Sequence, residues 1–144
     1  MKEESVDFYL QQGIFGHAET KPDERRMFLG SLRERALLAL TKGQVSRHKP
    51  YQEVEQVLKA NREATVLLNG ELSYASYSPY VKMANVAGCS FKVVNHHESH
   101  SPFGLVIEVP HAINQEHIYI EDELFQKLFL VNLLNRFPSE MNKL

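Results

Sequence analysis

The chain has 144 residues, enough for one domain that buries roughly 70% of the surface its unfolded chain exposes. Sixteen Lys and Arg against eighteen Asp and Glu give a formal charge of −2, which excludes a protein held on nucleic acid by bulk electrostatics. A single cysteine, Cys89, excludes an internal disulfide and points to a reducing compartment.

The opening Met-Lys-Glu-Glu-Ser and the mixed polar and aromatic residues after it lack the apolar core of a secretory signal. No apolar run approaches the ~20 residues of a membrane span, so the expectation is a soluble cytoplasmic chain with no membrane partner. Residues 1–20 read as a packed N-terminal arm, because Phe8, Tyr9 and Phe15 recur without a sustained period. Thr20 and Asp23 have the spacing of a capping box around Pro22, predicting a helix from Lys21. Gly30-Ser31 breaks it. Ser31 with Glu34 repeats the capping spacing, and Leu32, Ala36, Leu37 and Leu40 make an apolar stripe, so a second helix is predicted from Leu32 to Lys42, closed by Gly43. Its N-terminal N–H groups either form an anion site beside Arg33 and Arg35 or are satisfied by Ser31 and Glu34 themselves.

Val45 is placed in a short extended stretch, and Pro50 starts a helix with Tyr51, Val54, Val57 and Leu58 on one side. The apolar run Ala64–Leu68 predicts a strand buried on both faces and central in the sheet. Ser78-Pro79 predicts another helix ending at Gly88, and Phe91–Val94 a strand, which makes a parallel strand–helix–strand unit. A polar loop from Asn95 to Pro102, a strand over Leu105–Val109 and an edge at Ile118–Ile120 follow. The last helix, Asp122 to Phe137, is apolar around most of its circumference. Such a helix is buried on more than one side, and a second copy of the chain is one way to bury it. The reading is one α/β (α+β) domain over 1–144, with a mixed sheet of about four or five strands and helices packed on it.

Candidate chemistry is sparse. His96, His97, Glu98 and His100 offer metal-ligating groups, but the Ser and Pro around them argue for a loop and the spacing aims no three ligands at one point. No nucleophile elbow or phosphate-binding loop is present, so no catalytic residue, metal or cofactor is assigned. The turn Asn69-Gly70-Glu71, with Tyr74 nearby, leaves the carboxyl end of the central strand, where open α/β sheets place ligand crevices. Arg33, Arg35, Arg47, His48 and Lys49 form a basic first third able to meet an anion or RNA.

The segments Tyr9–Gly13, Glu19–Arg25, Leu29–Arg35 and Leu38–Val45, continued by Leu68–Leu72, resemble the YueI family of Gram-positive bacteria. That resemblance implies a family of unknown function with no assigned active site. The order helix, short strand, helix, strand, helix, strand, strand is similar to the kink-turn RNA-binding ribosomal proteins and the bacillus-type chorismate mutase. The RNA-reading segment of those ribosomal proteins is Gly-Ala-Asn-Glu before Val, and Pro50-Tyr51-Gln52-Glu53-Val54 stands in the like place. Pro50 removes a backbone donor there and Tyr51 adds bulk. The leading expectation is a non-catalytic binding or interaction module that self-associates through its last helix, with RNA binding and a small-molecule site at Asn69, Glu71 and Tyr74 as the alternatives.

Overall fold

In the computed structural model, residues 21–95 and 101–128 are described. The N-terminal arm, the His96–His100 run and the last helix beyond residue 128 lie outside the described residues. Helix α1 (Lys21–Met27) is followed by a 3-10 turn (Arg33–Arg35), strand β1 (Ala36–Thr41), a single turn α2 (Lys42–Val45) and helix α3 (Gln52–Ala60). Then come β2 (Thr65–Asn69), α4 (Tyr74–Ala87), β3 (Ser90–Val94) and β4 (Phe103–Glu108), and helix α5 opens over residues 123–128. The four strands form one mixed sheet in the order β1-β4-β2-β3, with β2 and β3 parallel and β4 antiparallel to both β1 and β2.

The predicted helix over Leu32–Lys42 is instead strand β1. Ala-Leu-Leu-Ala-Leu is a good helix former by itself, yet all six residues of β1 are buried. An amphipathic helix leaves one side wet, whereas a strand paired with β4 and covered on both faces does not. Irregularities in the β1–β4 register aim Leu37, Leu38 and Leu40 at one face and Ala36 and Ala39 at the other. The chain does turn at Gly30, through Leu29 (φ 57°) and Gly30 (φ 100°). Ser31 is no helix cap, however. Its Oγ lies 3.5 Å from the Leu32 carbonyl, and the Arg33 N–H donates to Glu24 Oε2 at 2.9 Å. Without a helix there, the anion site at its N-terminus is withdrawn.

Two further boundaries move. Gly43 and Val45 belong to α2, whose cap is Thr41: the Gln44 N–H donates to Thr41 Oγ1 and the Thr41 N–H donates to Gln44 Oε1. Helix α4 starts at Tyr74, where the Ser73 hydroxyl accepts the Ser76 N–H. Pro79 therefore sits inside the helix and costs it one backbone bond. Gly88 ends α4 in the left-handed region, as its sequence position predicts (φ 75°). Ile118–Ile120 contributes one parallel bridge, Tyr119 to Ala39, on the outer side of β1.

Helices α3 and α4 cover one face through Tyr51, Val54, Leu58, Tyr80 and Ala84, packed on Leu40, Val66, Leu68, Leu105 and Ile107. The other face carries Phe28, Leu67, Phe103, Val106, Ile118 and Phe125. Its aromatic rings run in series, Phe28 to Phe103 at 5.1 Å, Phe103 to Tyr119 at 5.8 Å and Tyr119 to Phe125 at 5.5 Å. The opening of α5 is thus seated on the chain's own sheet. Among the described residues, no helix is long and apolar enough to cross a membrane, and no group of three or more His, Cys, Asp and Glu could hold a metal ion.

Candidate functional site

Strand β1 and the parallel pair β2–β3 all point their carboxyl ends to one rim of the sheet, where α2 leads into the loop before α3. That loop is tightly held. The Ser46 N–H donates to the Lys42 carbonyl at 3.0 Å and the Arg47 N–H to the Gln44 carbonyl at 3.1 Å. The Arg47 guanidinium lies 3.4 Å from the centroid of the Tyr51 ring, while its Nε donates to the Lys49 carbonyl at 2.6 Å. A cation fixed on both sides in this way has already lost much of its rotamer freedom.

Tyr51 is held in turn. Only 2% exposed, it donates its hydroxyl to Asp122 Oδ2, and its N–H donates to the Tyr80 hydroxyl at 3.0 Å. Gln44 Nε2 donates to Asp122 Oδ1 at 3.0 Å and to the Ile120 carbonyl at 2.7 Å. Asp122 Oδ1 also accepts the Phe125 N–H at 3.1 Å, which makes Asp122 the N-cap of α5. Burial pushes the Tyr51 hydroxyl up to about 12, helped by the bond to Asp122 and by its charge. For Asp122, burial opposes ionisation, but the donors from Tyr51, the Phe125 backbone and Gln44, with the Arg47 charge, hold its carboxyl below the usual range.

The sequence candidates separate in space. Arg33 and Arg35 stand at the start of β1 and Arg47, His48 and Lys49 beyond its end, so a six-residue strand, about 17 Å long, lies between the two groups. Arg33 donates to the Glu116 carbonyl at 3.1 Å and lies over the Tyr119 ring at 5.9 Å. The Nε of Arg35 is buried with no hydrogen-bond partner among the described residues. His48 and Lys49 are exposed beside Arg47.

A family model for a protein of unknown function, DUF1694, matches residues 3–119. This chain belongs to that family. The Uncharacterized protein YueI of Bacillus subtilis (strain 168) is 54% identical over 130 residues, which is 90% of this chain and 98% of that protein. The crystal structure of the YueI protein from Bacillus subtilis is similar with a TM-score of 0.76 at 55% identity, covering 85% of this chain and 95% of that one. The YueI resemblance read from the sequence is therefore correct.

In this YueI-family chain the turn after β2 is occupied with holding itself together. Asn69 is buried, its amide donating to the Phe103 carbonyl at 3.0 Å and its Oδ1 accepting the Glu71 N–H at 2.9 Å. Glu71 pairs with Lys42 at 3.0 Å. Glu71 and Tyr74 both face solvent, Tyr74 at 65% exposed with Tyr77 edge-on to its ring at 5.5 Å, while Glu71 is engaged by Lys42. The segment placed opposite the ribosomal RNA-reading motif splits as well, with Tyr51 turned inward and Gln52 and Glu53 exposed. Sequence reasoning passed over Gln44 and the Tyr51–Asp122 contact. Thr41 and Gln44 do carry the capping-box spacing, a signal that was there to be read. Cys89 is buried, its Sγ near the Leu58 and Asn61 carbonyls, and burial raises its thiol, the opposite of nucleophile activation.

Proposed function

We propose that this chain is a cytosolic, non-catalytic binding module that meets structured RNA through the Arg47-His48-Lys49 loop. The observation that carries the reading is the fixed Arg47, stacked on Tyr51 and pinned by the Lys49 carbonyl. Among the described residues its terminal nitrogens make no hydrogen bond, so a phosphate can take both in a bidentate pair. His48 and Lys49 widen the patch. A chain of net charge −2 needs such a local footprint rather than a charged surface. The split between this loop and Arg33 with Arg35 supports a small contact, and the structural use of Asn69 and Glu71 favours binding over a ligand site at that turn. The buried, raised thiol of Cys89 suits a reducing compartment.

Fluorescence anisotropy with a labelled RNA hairpin tests the reading. With two or three phosphates engaged, log K should fall with log salt at a slope of about −2 to −3. Arg47→Ala should abolish binding, and Arg47→Lys should weaken it, because lysine keeps the charge but not the planar fork. No binding at low salt, or equal binding by Arg47→Ala with an unchanged circular dichroism spectrum, overturns it.

A further inference from the structure

Among the described residues, the second face of the sheet is covered unevenly. The rings of Phe28, Phe103, Tyr119 and Phe125 close it over β1 and the start of β4. Toward β3 it opens into a cavity of about 300 Å³, lined by Leu29, Gly30, Leu67, Lys92, Val94 and Glu108 among others. That volume is at the small end of ligand sites.

Strand register sets where its charges stand. Lys92 faces Leu67 across the β2–β3 pair, and Glu108 faces Thr65 across β2–β4, two residues away on the same side of the sheet. Two interstrand steps and a two-residue offset put their Cα atoms about 12 Å apart. Leu67, 3% exposed, is the floor between them, half-buried Val94 extends that floor on the far side of Lys92, level with Asn69, and the Leu29-Gly30 turn is a wall. Neither Lys92 nor Glu108 makes an ion pair or a side-chain hydrogen bond among the described residues. One positive and one negative group therefore flank an apolar floor, with no partner for either among the described residues.

We propose that this cavity binds a small zwitterion with an apolar body, its carboxylate on Lys92, its ammonium on Glu108 and its apolar part on Leu67 and Val94. The two charges select the class. A plain anion meets Glu108, a plain cation meets Lys92, and an uncharged apolar molecule leaves both side chains unanswered; only a ligand carrying both signs matches both ends. An apolar amino acid and a short apolar peptide share this chemistry. The cavity lies on the sheet face opposite α3, so it stands or falls independently of the Arg47 loop.

The test is nuclear magnetic resonance of the full ¹⁵N-labelled chain titrated with L-leucine, with the dipeptide Leu-Leu, and with N-acetyl-leucine and leucinamide, which lack one charge each. Saturable shifts at the Gly30, Leu67, Val93 and Val94 amides are expected for leucine or Leu-Leu, with binding about tenfold weaker for either capped probe. Tighter binding of Leu-Leu assigns the ligand to peptides, and tighter binding of leucine assigns it to free amino acids. Lys92→Gln should remove the preference for a free carboxylate and leave that for the ammonium, and Glu108→Gln should do the reverse. Both variants alter solvent-reachable side chains, and an unchanged spectrum away from the cavity verifies their fold. No shift at these amides with any probe, equal binding of capped and free probes, or preferences indifferent to both substitutions overturns the proposal.

Discussion

Replacing Tyr51 by Phe removes one oxygen and leaves the ring under Arg47, so it isolates the bond to Asp122. A hydrogen bond to a charged acceptor contributes about 1.5–3 kcal/mol, and Asp122 keeps its donors from Gln44 and the Phe125 N–H, so the loss should fall in the lower part of that range. The pH dependence is more specific. The folded hydroxyl sits at about 12 against about 10 in an unfolded chain. Between those values the unfolded state loses its proton while the folded state keeps it, so stability falls as pH rises. The contribution is complete below pH 10 and gone above pH 12, a drop on the order of 3 kcal/mol. Urea unfolding followed by circular dichroism, from neutral pH upward, should show that alkaline loss in the wild type and much less of it in Tyr51→Phe. Tyr80 and every other ionisable group are common to both proteins, so the difference between the curves belongs to Tyr51. Parallel curves, or a neutral-pH difference below about 0.5 kcal/mol, refute the network as an energetic unit.

Asn69→Ala should cost about 1–3 kcal/mol in the same unfolding assay, because it leaves the buried Phe103 carbonyl without its donor; a neutral result returns Asn69 to the list of free ligand groups. Gly104→Ala should destabilise by about 1–3 kcal/mol, since its Cβ would stand 2.8 Å from both Leu72 Cδ1 and Val45 Cγ2. Ser31→Ala should cost less than about 0.5 kcal/mol, against about 1 for a true cap. If the last helix self-associates as its apolar sequence predicts, light scattering at micromolar concentration reads about twice the 16.6 kDa of the chain, and a monomeric mass ends that expectation.

The parts of the fold legible in the sequence are those whose cause is local. The run that becomes β2 is apolar over more residues than a surface strand needs, and Gly88 marks the end of α4 by the conformation it adopts. Strand β1 was hidden because its cause is distant. Ala36 to Thr41 favours a helix until Phe103 to Glu108 arrives to pair with it, and no periodicity within eleven residues carries that information. The candidate site divides in the same way. Arg47, His48 and Lys49 can be found as charges, but the ring that fixes Arg47 cannot, since Tyr51 reads as one more apolar position on a helix. Asn69 looks like a ligand group until the carbonyl it serves, 34 residues on, is in place.

These long-range contacts also couple two features that look separate in the sequence. Asp122 caps α5 and accepts from Tyr51 across 71 residues and from Gln44 across 78, while Tyr51 supports Arg47. Capping the start of α5 and supporting the ring under Arg47 therefore draw on one carboxylate. Groups that share a partner in this way do not act additively. The contacts run from Arg47 to the Tyr51 ring beneath it and, through the Tyr51 hydroxyl, to the residue that caps α5, so Arg47→Ala and Asp122→Asn combined should change stability by other than the sum of the two alone.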